Sequence, residues 1–87
     1  MHFTSIIWDH EDDPGGNVEH IAQHELTTDD VEHVLLAPTS AGVSRSTGLP
    51  VLWGYTPDGR YIIVVYQQVD DETIRVITAY DVPEPPG

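Results

Sequence analysis

Arg60-Tyr-Ile-Ile-Val-Val-Tyr-Gln-Gln-Val69 is the stretch on which the fold turns. From Tyr61 to Tyr66 every position is apolar, so an extended chain there has no side suited to water and belongs in the middle of a sheet. Asp70-Asp71-Glu72 turns the chain, and Thr73 to Tyr80 reads as the next strand. Its alternation predicts Ile74, Val76 and Thr78 on one face and Arg75, Ile77 and Ala79 on the other. On the other side of the central strand, Thr56-Pro57-Asp58-Gly59 is a turn with a mechanism: proline fixes φ, aspartate bonds back to the backbone and glycine takes positive φ. It is preceded by a strand from Leu49 to Thr56, with Leu49, Val51, Trp53 and Tyr55 on one face and Pro50 suited to its start or to an edge. Thr39 to Gly48, rich in Ser, Thr and Gly, reads as a loop or a ragged edge strand.

Further upstream the period changes from two to 3.6. Val31, Val34 and Leu35 make one apolar helical stripe behind the capping signal Thr27-Thr28-Asp29-Asp30, and Pro38 ends it. A shorter helix is expected from Asn17, read as its N-cap, through Val18, Ile21 and Ala22 to His24. Phe3 to Trp8 is a β-rich run, closed by the acidic loop Asp9 to Gly16. The chain is therefore expected to be α+β: a short strand, two helices, then an antiparallel sheet of three strands (β-α-α-β-β-β), as one domain over residues 1–80 with a flexible proline-rich tail at 81–87. Helices on one face leave the second face of a doubly apolar central strand to be covered by a partner, a second copy, or a curl of the sheet around a pocket.

Charge limits the function. Fifteen acids face three arginines, Arg45, Arg60 and Arg75, with no lysine, for a net charge of −12. Such a molecule repels phosphate backbones, which excludes tight sequence-independent nucleic-acid binding. The nine acids and five histidines before residue 34 suit either a basic partner or solubility, including adaptation to high salt. With no cysteine, disulfides and thiolate metal sites are excluded. The N-terminal residues form no signal peptide, the longest apolar run is too short to span a bilayer, and a cytoplasmic protein without a membrane partner is expected.

Ile7-Trp8-Asp9, Asn17, His24, Thr28-Asp29-Asp30-Val31, Pro38, Gly59-Arg60, Val64-Val65-Tyr66 and Ile74-Arg75-Val76-Ile77-Thr78-Ala79 together resemble the BrnT-like toxin family of type II toxin–antitoxin systems, over roughly residues 6 to 80. The resemblance implies the small RelE/ParE-like ribonuclease-toxin architecture, metal-independent RNA cleavage without a cofactor, and restraint by an antitoxin partner. It departs from the family in three places. Gln23-His24-Glu25 stands for Lys-His-Gly, Thr78-Ala79-Tyr80 for Ser-Ala-Arg, and an acidic proline tail for a basic helix. Each change removes a cation.

The residues that carry chemistry on this reading are His24 as base or cap, and Arg60 and Arg75 as cations steadying the phosphorane charge. Arg45, Tyr66 and Tyr80 are candidate substrate contacts, the aromatics through base stacking. If the three arginines converge they form one anion site; the plainer alternative pairs them with the abundant carboxylates, and the strand aromatics with the core. His20 and His24, at i and i+4, have a metal-binding spacing, with His10, Glu11 or Asp13 as a third ligand, but read better as surface or capping histidines, so no metal is expected. Two functions follow: a toxin-module protein with weak or lost RNA cleavage, touching RNA only transiently and held by an antitoxin-like protein or a second copy, or a non-enzymatic binding or dimerisation module.

Overall fold

Tyr61–Gln68 occupies the centre of the sheet in the computed structural model, which describes residues 3–84. In chain order the elements are β1 (Ser5–Ile7), α1 (Asn17–Ala22), α2 (Thr28–Leu36), β2 (Ser40–Val43), β3 (Pro50–Tyr55), β4 (Tyr61–Gln68) and β5 (Thr73–Asp81). Five strands form one sheet in the order β1-β5-β4-β3-β2. The strands β2 to β5 form an antiparallel meander, and β1 lies parallel to β5 with Ile6 beside Ile74.

The α+β class holds, but three antiparallel strands is too few. Ser40-Ala-Gly-Val43 carries little β propensity and is held as a strand by pairing with β3, a tertiary contact that overrides the local preference. The first strand is the expected one, shortened; its parallel seat on β5 makes the sheet mixed, and no local pattern announces a contact spanning 68 residues.

Packing follows the binary pattern. From the helices and the turn between them, Ile21, Leu26, Val31, Val34 and Leu35 are buried against Leu52, Ile62 and Val64 of the sheet. Tyr66, Ile74, Val76 and Ala79 complete that face. Ala79 corrects the expected alternation of the last strand. Val65 pairs with Thr78 and Tyr66 with Val76, which leaves Ile77 as an extra residue, a β-bulge. Past it the faces exchange, so Ala79 rather than Thr78 joins Ile74 and Val76 beneath the helices.

The helix ends are set by different devices. Thr27 caps α2 in a reciprocal box with Asp30, as its sequence predicts. At α1 the cap is Gly16, not Asn17. Asp9 reaches from the preceding loop to accept the Asn17 N–H at 2.9 Å, so the Asn17 side chain is released for another task. A Cβ at Gly16 would stand 2.7 Å from that of Asp9, which is why this position is bare. The first helix stops at Ala22, two residues before His24. Gly59, at φ +89°, occupies the turn position predicted for it.

Beyond residue 80 the chain remains in the fold: β5 includes Asp81, and Val82 N–H donates to the Tyr61 carbonyl at 3.0 Å. The boundary expected at residue 80 therefore moves outward. Met1-His2, which begin the N terminus read for a leader, and Pro85-Pro86-Gly87 of the expected tail lie outside the described residues. Among the described residues no helix is long and apolar enough to cross a membrane.

Candidate functional site

The three arginines occupy three different surroundings. Arg75, on β5, makes a two-pronged pair with Asp9, Nη1 to Oδ1 at 2.8 Å and Nη2 to Oδ2 at 2.6 Å. This planar, charge-assisted geometry fixes both partners. The guanidinium and the Asn17 N–H hold the Asp9 carboxyl below its ordinary pKa of 3.8. Asn17 completes the node from the core side. Its Oδ1 accepts the Asp9 N–H at 2.8 Å, and its Nδ2 donates to the carbonyls of Ile7 and Val76 at 2.8 and 2.9 Å. One buried amide thus ties β1, α1 and β5 together.

Arg60 leads into β4 and is equally engaged. Nε and Nη2 bind the Asp81 carboxylate at 3.1 and 2.8 Å. Nη1 and Nη2 also donate to the carbonyls of Glu25 and His24 at 2.7 and 2.8 Å, the open C-terminal end of the α1 turn. A cation there meets both a carboxylate and unpaired helix carbonyls. Asp81 is the leading cause that holds the Arg60 pKa above its ordinary value.

Arg75 stands across from Gln67, seven residues along β4 from Arg60, which separates them by about 23 Å at the rise of an extended strand. Arg45 lies in the exposed turn between β2 and β3, two strands away from β5, and makes no ion pair among the described residues. The arginines do not converge. Two are closed by carboxylates at opposite ends of the β4–β5 ladder and the third rims a different surface.

What the structure does bring together is His24, Tyr80 and Arg60. The His24 and Tyr80 rings lie 5.8 Å apart, centroid to centroid, in an open cleft of about 350 Å³ completed by Gln23, Glu25 and Asp81. Arg60 underlies it, bound to the His24 carbonyl rather than pointing a free guanidinium at it. Tyr66 is elsewhere: only 6 % exposed, it belongs to the core under the helices, where burial raises its phenol pKa. His24 stands in the turn after α1, so it shares no helix face with His20, and no metal-holding group of three or more His, Cys, Asp or Glu occurs among the described residues.

The opposite sheet face carries a second concavity. Val51 and Val65 are buried although both helices lie on the other side; they floor a trough of about 500 Å³ walled by Trp53, Ile63 and Tyr80, with Arg45 at its rim. Tyr80 borders both this trough and the His24 cleft.

Asp9 and Asn17 are the residues whose weight a reading by residue type missed. Asp9 looks like one acid among many in a loop, and Asn17 like a surface cap. The available signal was local: Asp9 directly follows the first strand and Asn17 directly follows the Gly15-Gly16 pair, which lets the backbone approach closely. Comparison with protein-family models, curated proteins and solved structures gives no match.

Proposed function

We propose that this chain is a toxin-like module of the BrnT type whose role is to hold a protein partner rather than to cleave RNA. The observation that carries this reading is the state of the cations. Phosphoryl chemistry without a metal needs positive groups free to meet the developing charge. Here Arg60 and Arg75 are each spent on a carboxylate, far apart, in a molecule of net charge −12. The trough over Val51 and Val65 supports the binding half of the reading, because it presents apolar surface beside Arg45, a guanidinium with no ion pair among the described residues. An antitoxin-like protein is the partner class that the resemblance suggests.

Incubating the purified protein with RNA in EDTA, from low to high salt, tests the reading; the expected result is no cleavage. Cleavage by the wild type that is lost in a folded His24→Ala variant would establish the competing ribonuclease reading, which the His24–Tyr80–Arg60 corner favours. For the binding half, co-expression with the product of a neighbouring short basic reading frame is expected to yield a complex that Trp53→Glu weakens. A complex indifferent to Trp53→Glu would move the partner off this face.

A further inference from the structure

All fifteen acids lie outside residues 33–57, a stretch of 25 residues whose one formal charge is Arg45. The fold gathers this stretch in one place. It comprises the end of α2, the whole of β2, the β2–β3 turn and β3, which together make one edge of the sheet. On a strongly anionic molecule this edge contributes no carboxylate of its own, although Glu84 reaches Tyr55 at the far end of β3.

The edge is also open in its backbone. β2 is the last strand of the sheet, bonded only to β3. Ser44 N–H donates to the Leu49 carbonyl at 2.8 Å, so by antiparallel alternation Gly42 also turns its amide group towards β3, while Ala41 and Val43 turn theirs outward. Edge strands are ordinarily blunted by charge, proline or a bulge; Ala41 to Ser44 contains none of these, with Pro38, the Thr39–Trp53 bond and Arg45 lying just outside it. Beside it stand two apolar side chains left in water, Leu36 at 77 % exposure and Val43 at 66 %. A groove of about 590 Å³, lined by Leu35, Leu36, Pro38, Ala41 and Tyr66 among others, opens along the same edge.

We propose that β2 pairs antiparallel with β2 of a second copy, about a two-fold axis through Gly42, to give a continuous ten-stranded sheet. The register is self-complementary. Ala41 of one protomer exchanges both backbone hydrogen bonds with Val43 of its partner and the reverse, and Gly42 meets its own counterpart where strands come closest and no side chain stands in the way. Leu36 and Val43 of both copies then share the helix side of the joint. A second copy is favoured over a foreign strand because the partner's edge is acid-free by symmetry, and because the outward amides are placed symmetrically about one glycine. This inference uses the backbone edge of β2, whereas the partner-binding reading above rests on the trough, which Gly42, Val43 and Ser44 also border.

The remaining acids of two copies still repel at long range, so pairing strengthens with salt. Sedimentation equilibrium of the full chain at 0.05 and 0.5 M NaCl is expected to show a species of twice 9.7 kDa, more populated at the higher salt. Val43→Lys, at an exposed position, and Ala41→Pro, which removes an outward N–H, each weaken association by about tenfold or more while leaving the circular dichroism of the monomer unchanged. Hydrogen exchange at the Ala41 and Val43 amides slows as protein concentration rises. The proposal is overturned by a chain that stays monomeric to millimolar concentration, whether or not it captures an extended peptide along β2. A dimer untouched by both substitutions, or exchange at these two amides that does not depend on concentration, overturns it as well.

Discussion

Asn17 spends every polar atom of its amide on three segments, which makes it the residue whose loss should be felt most widely. Asn17→Ala leaves the Val76 carbonyl buried without a donor and frees the Asp9 N–H, and is expected to cost about 2–4 kcal/mol in urea denaturation. A loss below about 0.5 kcal/mol, the scale of an ordinary surface change, would mean that water replaces the amide at no cost. Asp9, on the other flank of the node, makes the pH behaviour predictable. Its folded pKa is depressed by the Arg75 guanidinium and the Asn17 N–H, so its contribution is fully present above its unfolded value of 3.8 and fades as pH falls through that value towards the lower folded one. The stability gap between wild type and Asp9→Asn should therefore be constant near neutrality and shrink below about pH 4. A gap that widens on acidification would contradict the assignment. None of this is legible in residue types alone: an acid in an acidic loop and an asparagine before a helix have commonplace readings, and only the three-dimensional return of β5 gives them Arg75 and the Val76 carbonyl.

Elements were legible to the extent that their signals were local. The capping box of α2, its apolar stripe and the Pro57-Asp58-Gly59 turn need only neighbours within a few residues, and the structure has them where expected. The parallel seat of β1 depends on a partner far along the chain and the bulge at Ile77 on the register with β4, so alternation and propensity could not reveal them, whereas β2 is the edge strand that is one of the two readings of Thr39 to Gly48. The end of α1 lies between these cases. Leu26 N–H reaches the Ile21 carbonyl and Glu25 N–H the Ala22 carbonyl, the Schellman arrangement, with Glu25 at φ +61°. Glycine is the residue ordinarily found at this step of the motif, and here a glutamate is held in the left-handed region. Glu25→Gly should therefore stabilise the protein by about 1 kcal/mol, read as a raised urea midpoint at unchanged slope, since the substitution relieves a conformation that disfavours a side chain. The added freedom of the unfolded chain opposes this gain, and a lowered midpoint would show that it prevails or that the Glu25 side chain has an attachment of its own.

At the scale of the whole molecule, charge acts against the fold that the elements build. Two arginines are paired with carboxylates, which leaves most of the fifteen acids to repel one another across a body whose radius of gyration is 12.2 Å. At 0.01 M salt the screening length is about 30 Å, so every acid senses every other, whereas at 0.5 M it falls to about 4 Å and only near neighbours interact. The folded state holds these charges closer together than the unfolded chain does, so screening favours folding. Thermal unfolding at low micromolar concentration, where self-association through β2 is negligible, should show a Tm that rises by about 5 °C between these salt concentrations, equivalent to roughly 1 kcal/mol in a domain this small. A general salt effect on apolar burial would act in the same direction, and a charge-neutralising variant separates the two. Asp12 and Asp13 are exposed in the loop after β1. The double change to asparagine should raise Tm at 0.01 M and make little difference at 0.5 M. If the variant gains equally at both, the cost of these two acids is not long-range coulombic repulsion.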